Sequence, residues 1–79
     1  MKQIEDPYEN LANAIILQAA KDYRKALGNL KNNPKSYAAR RLKKEVEKFF
    51  LSSWFVELTD LDGEVLMQDL RKEADWHDE

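Results

Sequence analysis

Asp60, Asp62, Gly63 and Glu64, in the run TDLDGE, come closest in this chain to a metal site. With Gly63 at the sixth position of a calcium loop, Asp60 and Asp62 fall on ligand positions three and five, and Val65 on the apolar position eight. The first position is then Leu58, which offers no oxygen, and the last is Asp69, one methylene shorter than the bidentate glutamate such loops use. The run therefore reads as a turn followed by a helix N-cap, where Asp60, Asp62 and Glu64 face the positive end of a helix dipole. No metal ligand set is assigned.

Nucleophilic or acid–base chemistry finds equally little. The only histidine, His77, lies three residues from the end, where nothing would hold it within reach of a nucleophile. There is no cysteine, no HExxH motif and no glycine-rich phosphate loop, since Gly28 and Gly63 stand alone. The expectation is a protein that is not an enzyme, with no catalytic residues and no cofactor.

Two groups of side chains are suited to binding. At ~100° per residue, Arg40, Arg41, Lys44 and Lys48 form one basic stripe on a helix, placed to contact phosphate or an acidic partner, with Glu45 and Glu47 on its flanks. The helix that would follow in a helix-turn-helix carries Asp62, Glu64, Asp69, Glu73 and Asp75, which phosphate would repel, so nucleic acid is the less favoured partner. Phe49, Phe50, Trp54 and Phe55 form two aromatic pairs. One ring of each pair suits a core and the other a junction, so Trp54 and Phe55, together with Leu17 on an otherwise polar helix face, are the candidate protein-partner contacts.

Helices must position these groups. Asp6 and Pro7 give a cap-then-proline start for a first helix over about 7–32, with Glu9 at the capping-box position. Leu11, Ala12, Ile15, Ile16, Ala19, Ala20, Tyr23, Ala26, Leu27 and Leu30 fill about half its circumference, wide enough for two neighbours. Asn33 and Pro34 repeat the start signal for a second helix over about 35–51, with Ala39, Leu42, Val46, Phe49 and Phe50 inward. Ser52 or Ser53 caps a short helical segment near 53–58, and TDLDG leads into a last helix over about 62–75 with Leu66, Met67, Leu70 and Ala74 inward. Strand patterning is absent. The fold class expected is all-α: a small bundle of three main helices with one short segment, a single domain over 1–79, frayed at 1–5 and 76–79. Gly28 is expected to let a ring approach the backbone of the first helix.

Composition and charge bound the rest. Seventy-nine residues that are 43% hydrophobic make one small core, with no disulfide to reinforce it. The N-terminus lacks an apolar leader and no window approaches the ~20 apolar residues of a membrane span, so a cytoplasmic protein with no membrane partner is expected. Residues 35–48 carry six Lys/Arg against two Asp/Glu, whereas residues 49–79 carry two against nine. This segregation suggests that Asp62, Asp69 and Glu73 pair with the basic stripe, within one chain or between two. A first helix of ~25 residues spans ~38 Å, longer than a compact chain of this size is wide, and the overhang implies homodimerisation.

The stretches AAKDYRKALGNLKNNP and KKEVEKFFLSSWFVELTDLDGEVLMQDLRKE, about residues 14–74, resemble a group of small uncharacterised helical proteins encoded in phages and mobile elements of Gram-positive bacteria. The shared mark is the FF, S, WF, LTDLDGE, L spacing, and no functional residues come with it. The resemblance implies a setting in which small proteins act by binding a host or phage protein. A non-catalytic protein-interaction or accessory role is therefore expected, the alternative being nucleic-acid binding or regulation through the basic face of the second helix.

Overall fold

The computed structural model describes residues 7–76, except for the side chain of Tyr8. It is an all-α bundle of α1 (Pro7–Asn32), α2 (Tyr37–Phe50), α3 (Ser53–Leu58) and α4 (Gly63–Glu73), with no strand among the described residues. None of these helices is long and apolar enough to cross a membrane. Asp6, the expected cap of α1, and the ends 1–5 and 77–79 lie outside the described residues.

Each boundary has a local cause. Asn33 does not cap the second helix: its N–H donates to Asn29 O at 2.8 Å, extending α1, and its side chain accepts from Lys35 N at 3.2 Å to close a turn. The cap is Ser36, whose hydroxyl accepts from Ala39 N at 3.2 Å, so α2 begins at Tyr37 rather than 35. Ser52 serves both neighbours, donating to Phe49 O at 2.7 Å and accepting from Phe55 N at 3.2 Å. Asp62 accepts from Glu64 N at 3.0 Å and Val65 N at 3.3 Å, so the acidic turn is indeed an N-cap.

The C-terminus of α4 departs from expectation. Asp75 adopts φ 55°, Asp75 N donates to Lys72 O at 3.0 Å, and Trp76 N donates to Arg71 O at 2.8 Å. This paired closure is a Schellman motif with aspartate in the left-handed position. It turns Trp76 back onto the core, where its ring is half-buried, so the fraying expected from residue 76 does not reach Trp76.

Ile16, Ala20, Tyr23 and Leu27 of α1, Val46 and Phe50 of α2, Phe55 of α3, and Met67 and Leu70 of α4 form one core. Phe50 stands edge-on to Tyr23 at 5.9 Å and to Phe55 at 5.7 Å, so three helices meet on one ring. Gly63 makes this convergence possible. A Cβ there would collide with the Phe50 carbonyl oxygen and lie 2.8 Å from its carbon and 3.3 Å from the Phe55 ring. The glycine that admits a close approach is thus Gly63, not Gly28, which faces open space. Leu11, expected inward, is 59% exposed although its neighbour Ala12 is buried: it lies one turn before Ile15, in the row of α1 that faces the open valley rather than the core. That helix is about 39 Å long, and the molecule measures 50 × 26 × 21 Å.

Candidate functional site

The turn at 33–36 folds α2 back along α1, and two antiparallel helices leave a valley on each side. One valley is filled by α4, as the contacts on its rim show. Arg24 Nε donates to Glu73 Oε1 at 3.0 Å, and Lys31 Nζ donates to Ala74 O at 2.9 Å.

Beneath this filled valley lies a polar knot joining α1, α2 and α4. Glu47 Oε2 accepts from Tyr23 OH at 2.6 Å, from Arg71 Nη2 at 2.8 Å and from Lys43 Nζ at 2.8 Å, while Arg71 Nε donates to Tyr23 OH at 2.9 Å. Side-chain exposure of 15% at Lys43 and 18% at Glu47 marks these charges as largely withdrawn from water. Burial pushes the Glu47 carboxyl up, but the hydrogen bonds from Lys43, Tyr23 and Arg71 outweigh it and hold the carboxyl below its ordinary range. Burial, reinforced by the Glu47 carboxylate, drives the Tyr23 phenol far above its ordinary value. Arg71 is held more firmly protonated than usual, because its bonds to Glu47 and Tyr23 outweigh its own desolvation. Lys43 also sits 5.7 Å from the centre of the Trp76 ring. Sequence reasoning missed this group by counting Tyr23 as apolar and Glu47 only as a flank of the basic stripe, and it gave Lys43 and Arg71 no role. The available signal was Lys43 and Glu47 four apart, beside Val46 and Phe50.

The second valley is open. Ile15 and Ala19 of α1 and Leu42, Val46 and Phe49 of α2 line it, with Trp54 of α3 at its end and Gln18, Asp22 and Glu45 at its edges. Ile15, Ala19, Leu42 and Phe49 are half-buried, so the floor is apolar and reachable. Trp54 is 55% exposed and stands edge-on to Phe49 at 5.5 Å. Of the expected partner contacts, Trp54 is therefore available. Phe55 is not: it is 0% exposed, pointing into the core from the opposite side of α3. Leu17 is exposed as expected, on the polar face of α1.

Arg40, Arg41, Lys44 and Lys48 share the outward face of α2, with exposed Tyr37 and Leu51 at its ends. The expected pairing with Asp62, Asp69 and Glu73 does not form within the chain. Arg41 pairs with Glu45 of its own helix at 3.2 Å, Glu73 pairs with Arg24, and Asp62 caps α4. Among the described residues, Arg40, Lys44 and Lys48 make no ion pair. Lys48 also borders the Trp54 end of the open valley, joining the stripe to the apolar floor. No group of three or more carboxylate or imidazole side chains among the described residues is placed to hold a metal ion. Compared with protein-family models, curated proteins and solved structures, the chain matches none.

Proposed function

We propose that this is a non-catalytic accessory protein that binds a protein partner through the open valley between α1 and α2. The observation carrying this reading is Trp54: a large ring, 55% exposed, fixed edge-on against Phe49 at the end of a half-buried apolar floor. Such a ring loses little freedom on binding and has much apolar area to bury, which is the physical profile of an interface hot spot. The perturbed titrating groups, by contrast, are spent on one another in joining three helices. Residence in the cytoplasm of a Gram-positive host, in a phage or mobile-element setting, belongs to the same proposal and is supported by the resemblance of residues 14–74.

Affinity capture from such a host tests it. A protein retained by the wild type should be lost with Trp54→Ala and kept with Val56→Ala, a control at an exposed apolar position on the same helix. Equal retention by all three would refute the role of the valley.

A second reading is favoured by one observation, the unpaired cations Arg40, Lys44 and Lys48 on a single exposed face. Nucleic acid bound there would show steep salt dependence, and each lysine replaced by alanine would lower the slope of log K against log salt by about one. Lys31 is drawn away to the Ala74 carbonyl and does not extend the stripe.

A further inference from the structure

Independently of what fills the open valley, we infer that the basic face of α2 is covered by the acidic end of a second copy of this chain, the two molecules lying antiparallel about a two-fold axis. Charge is segregated along the 50 Å length of the molecule. Residues 7–19 and 51–64 together carry five Asp/Glu and no Lys/Arg. The fold gathers these two stretches at one end, where Glu9 and Asn13 of α1 line a cleft with Glu57, Asp60 and Leu61. Residues 20–48, which run down α1, through the turn at 33–36 and back along α2, carry ten Lys/Arg against three Asp/Glu. Residues 65–76, the remainder of α4 and its closing turn, are nearly balanced, with two Lys/Arg against three Asp/Glu. Neither end neutralises itself. Arg40, Lys44 and Lys48 make no ion pair among the described residues, and neither do Glu57, Asp60 and Glu64. Glu45 and Glu47 also border the α2 face, but both are engaged, Glu45 by Arg41 and Glu47 by the polar knot.

This layout decides the occupant. A uniformly acidic partner or a nucleic acid drawn to α2 is repelled by the other end of the same molecule, whereas a second copy offers opposite charge at both ends. The whole chain carries only −2, so two copies meet with little overall repulsion. Lying antiparallel, each basic face meets an acidic end and the contact closes at two copies. Head-to-tail stacking would match the same charges but leave both ends of the chain of molecules open. Apolar side chains held out of the core add area on each side: Tyr37 and Leu51 are 73% and 61% exposed at the ends of the α2 face, and Leu61 is 57% exposed beside Asp60. Each exposed ion pair adds little, so the association is weak and salt-dependent.

The test is analytical sedimentation of the full chain, with circular dichroism to confirm that every variant stays folded. A dimer should form at low ionic strength, and its Kd should rise at least about tenfold in high salt. Arg40→Glu with Lys44→Glu, or Glu57→Lys with Asp60→Lys, should each weaken it by more than about tenfold. An equimolar mixture of these two variants should restore the dimer, because the reversed α2 face of one then meets the reversed acidic end of the other, while their unaltered surfaces pair as before. A monomer under all conditions overturns the inference, as do two reversed variants that stay monomeric when mixed. A dimer that ignores both reversals but is lost with Ala19→Glu puts the second copy in the open valley instead. Retention on DNA that Arg40→Glu with Lys44→Glu abolishes, with no dimer formed, gives the α2 face to nucleic acid. Either of these outcomes also overturns the inference, and neither bears on whether Trp54 governs partner capture.

Discussion

Two glycines in this chain have opposite physical roles, and substitution separates them. Gly28 lies in the interior of α1 facing open space, so alanine there removes an entropic cost without meeting a neighbour. Gly63 begins α4 against the Phe50 carbonyl, a backbone atom that cannot swing aside as a side chain could. Gly28→Ala should stabilise the fold by about 0.5–1 kcal/mol, and Gly63→Ala should destabilise it by about 1–3 kcal/mol. Urea unfolding midpoints measure both. Equal effects would mean that α4 does not depend on its close approach to the end of α2. Two adjacent positions therefore carry different constraints: Asp62 must accept hydrogen bonds from the first N–H groups of α4, and Gly63 must leave room. In sequence, TDLDGE shows the first constraint clearly. The second is invisible, because the Phe50 carbonyl arrives from another helix. Trp54 and Phe55 present a similar limit, since two neighbouring rings on a six-residue helix must point apart, yet nothing local says which one meets the core.

Helix starts were legible where one side chain had one task. Pro7, Ser52 and Asp62 all stand where their types place them. The start of α2 was not, because Asn33, Pro34 and Ser36 all suit a helix start and only the end of α1 decides among them. Once Asn33 N is engaged by Asn29 O, the helix passes its last turn through Asn33, and Ser36 is left as the first residue free to cap. Ser36→Ala should therefore cost about 1 kcal/mol, and Asn33→Ala clearly less, since its side chain closes only an exposed turn. Thermal melts of the two variants at matched protein concentration check this order. A larger loss for Asn33→Ala would put the cap back at the position that the proline suggests. The apolar stripes of α1, α2 and α4 were legible throughout their packed lengths, because burial follows the 3.6-residue period wherever a neighbour is present. Leu11 breaks the pattern because its row on α1, shared with Ile15 and Ala19, faces the open valley, while Ala12 beside it is buried.

The bundle as a whole is pinned through one carboxylate. Glu47 of α2 accepts bonds from Tyr23 of α1 and Arg71 of α4 as well as from Lys43 beside it, so its charge is shared by three helices. Placed in a core that small, the group is costly to leave half-made: neutralising Glu47 removes the counter-charge that it offers Lys43 and Arg71, both largely out of water. Glu47→Gln should lower stability at neutral pH by about 2 kcal/mol. Because the folded carboxyl sits below its unfolded value, this contribution is fully present above the ordinary carboxylate range and is lost as pH falls through the folded value. The gap between wild type and Glu47→Gln, measured by urea unfolding from pH 7 downward, should therefore stay constant to about pH 5 and then close. A gap that persists at acid pH would show that Glu47 acts through its shape and hydrogen bonds rather than its charge. Tyr23→Phe separates the remaining possibility, since it removes one donor and leaves the carboxylate in place; it should cost about 1 kcal/mol at neutral pH, and that gap should narrow at acid pH by less than the gap for Glu47→Gln, because the Tyr23 bond is only one of those holding the carboxyl down. The joint outcome measures how much the ionic contact at Glu47 adds to the apolar packing of Met67 and Leu70 that holds α4 on one side of the α1–α2 pair, the side away from the open apolar valley.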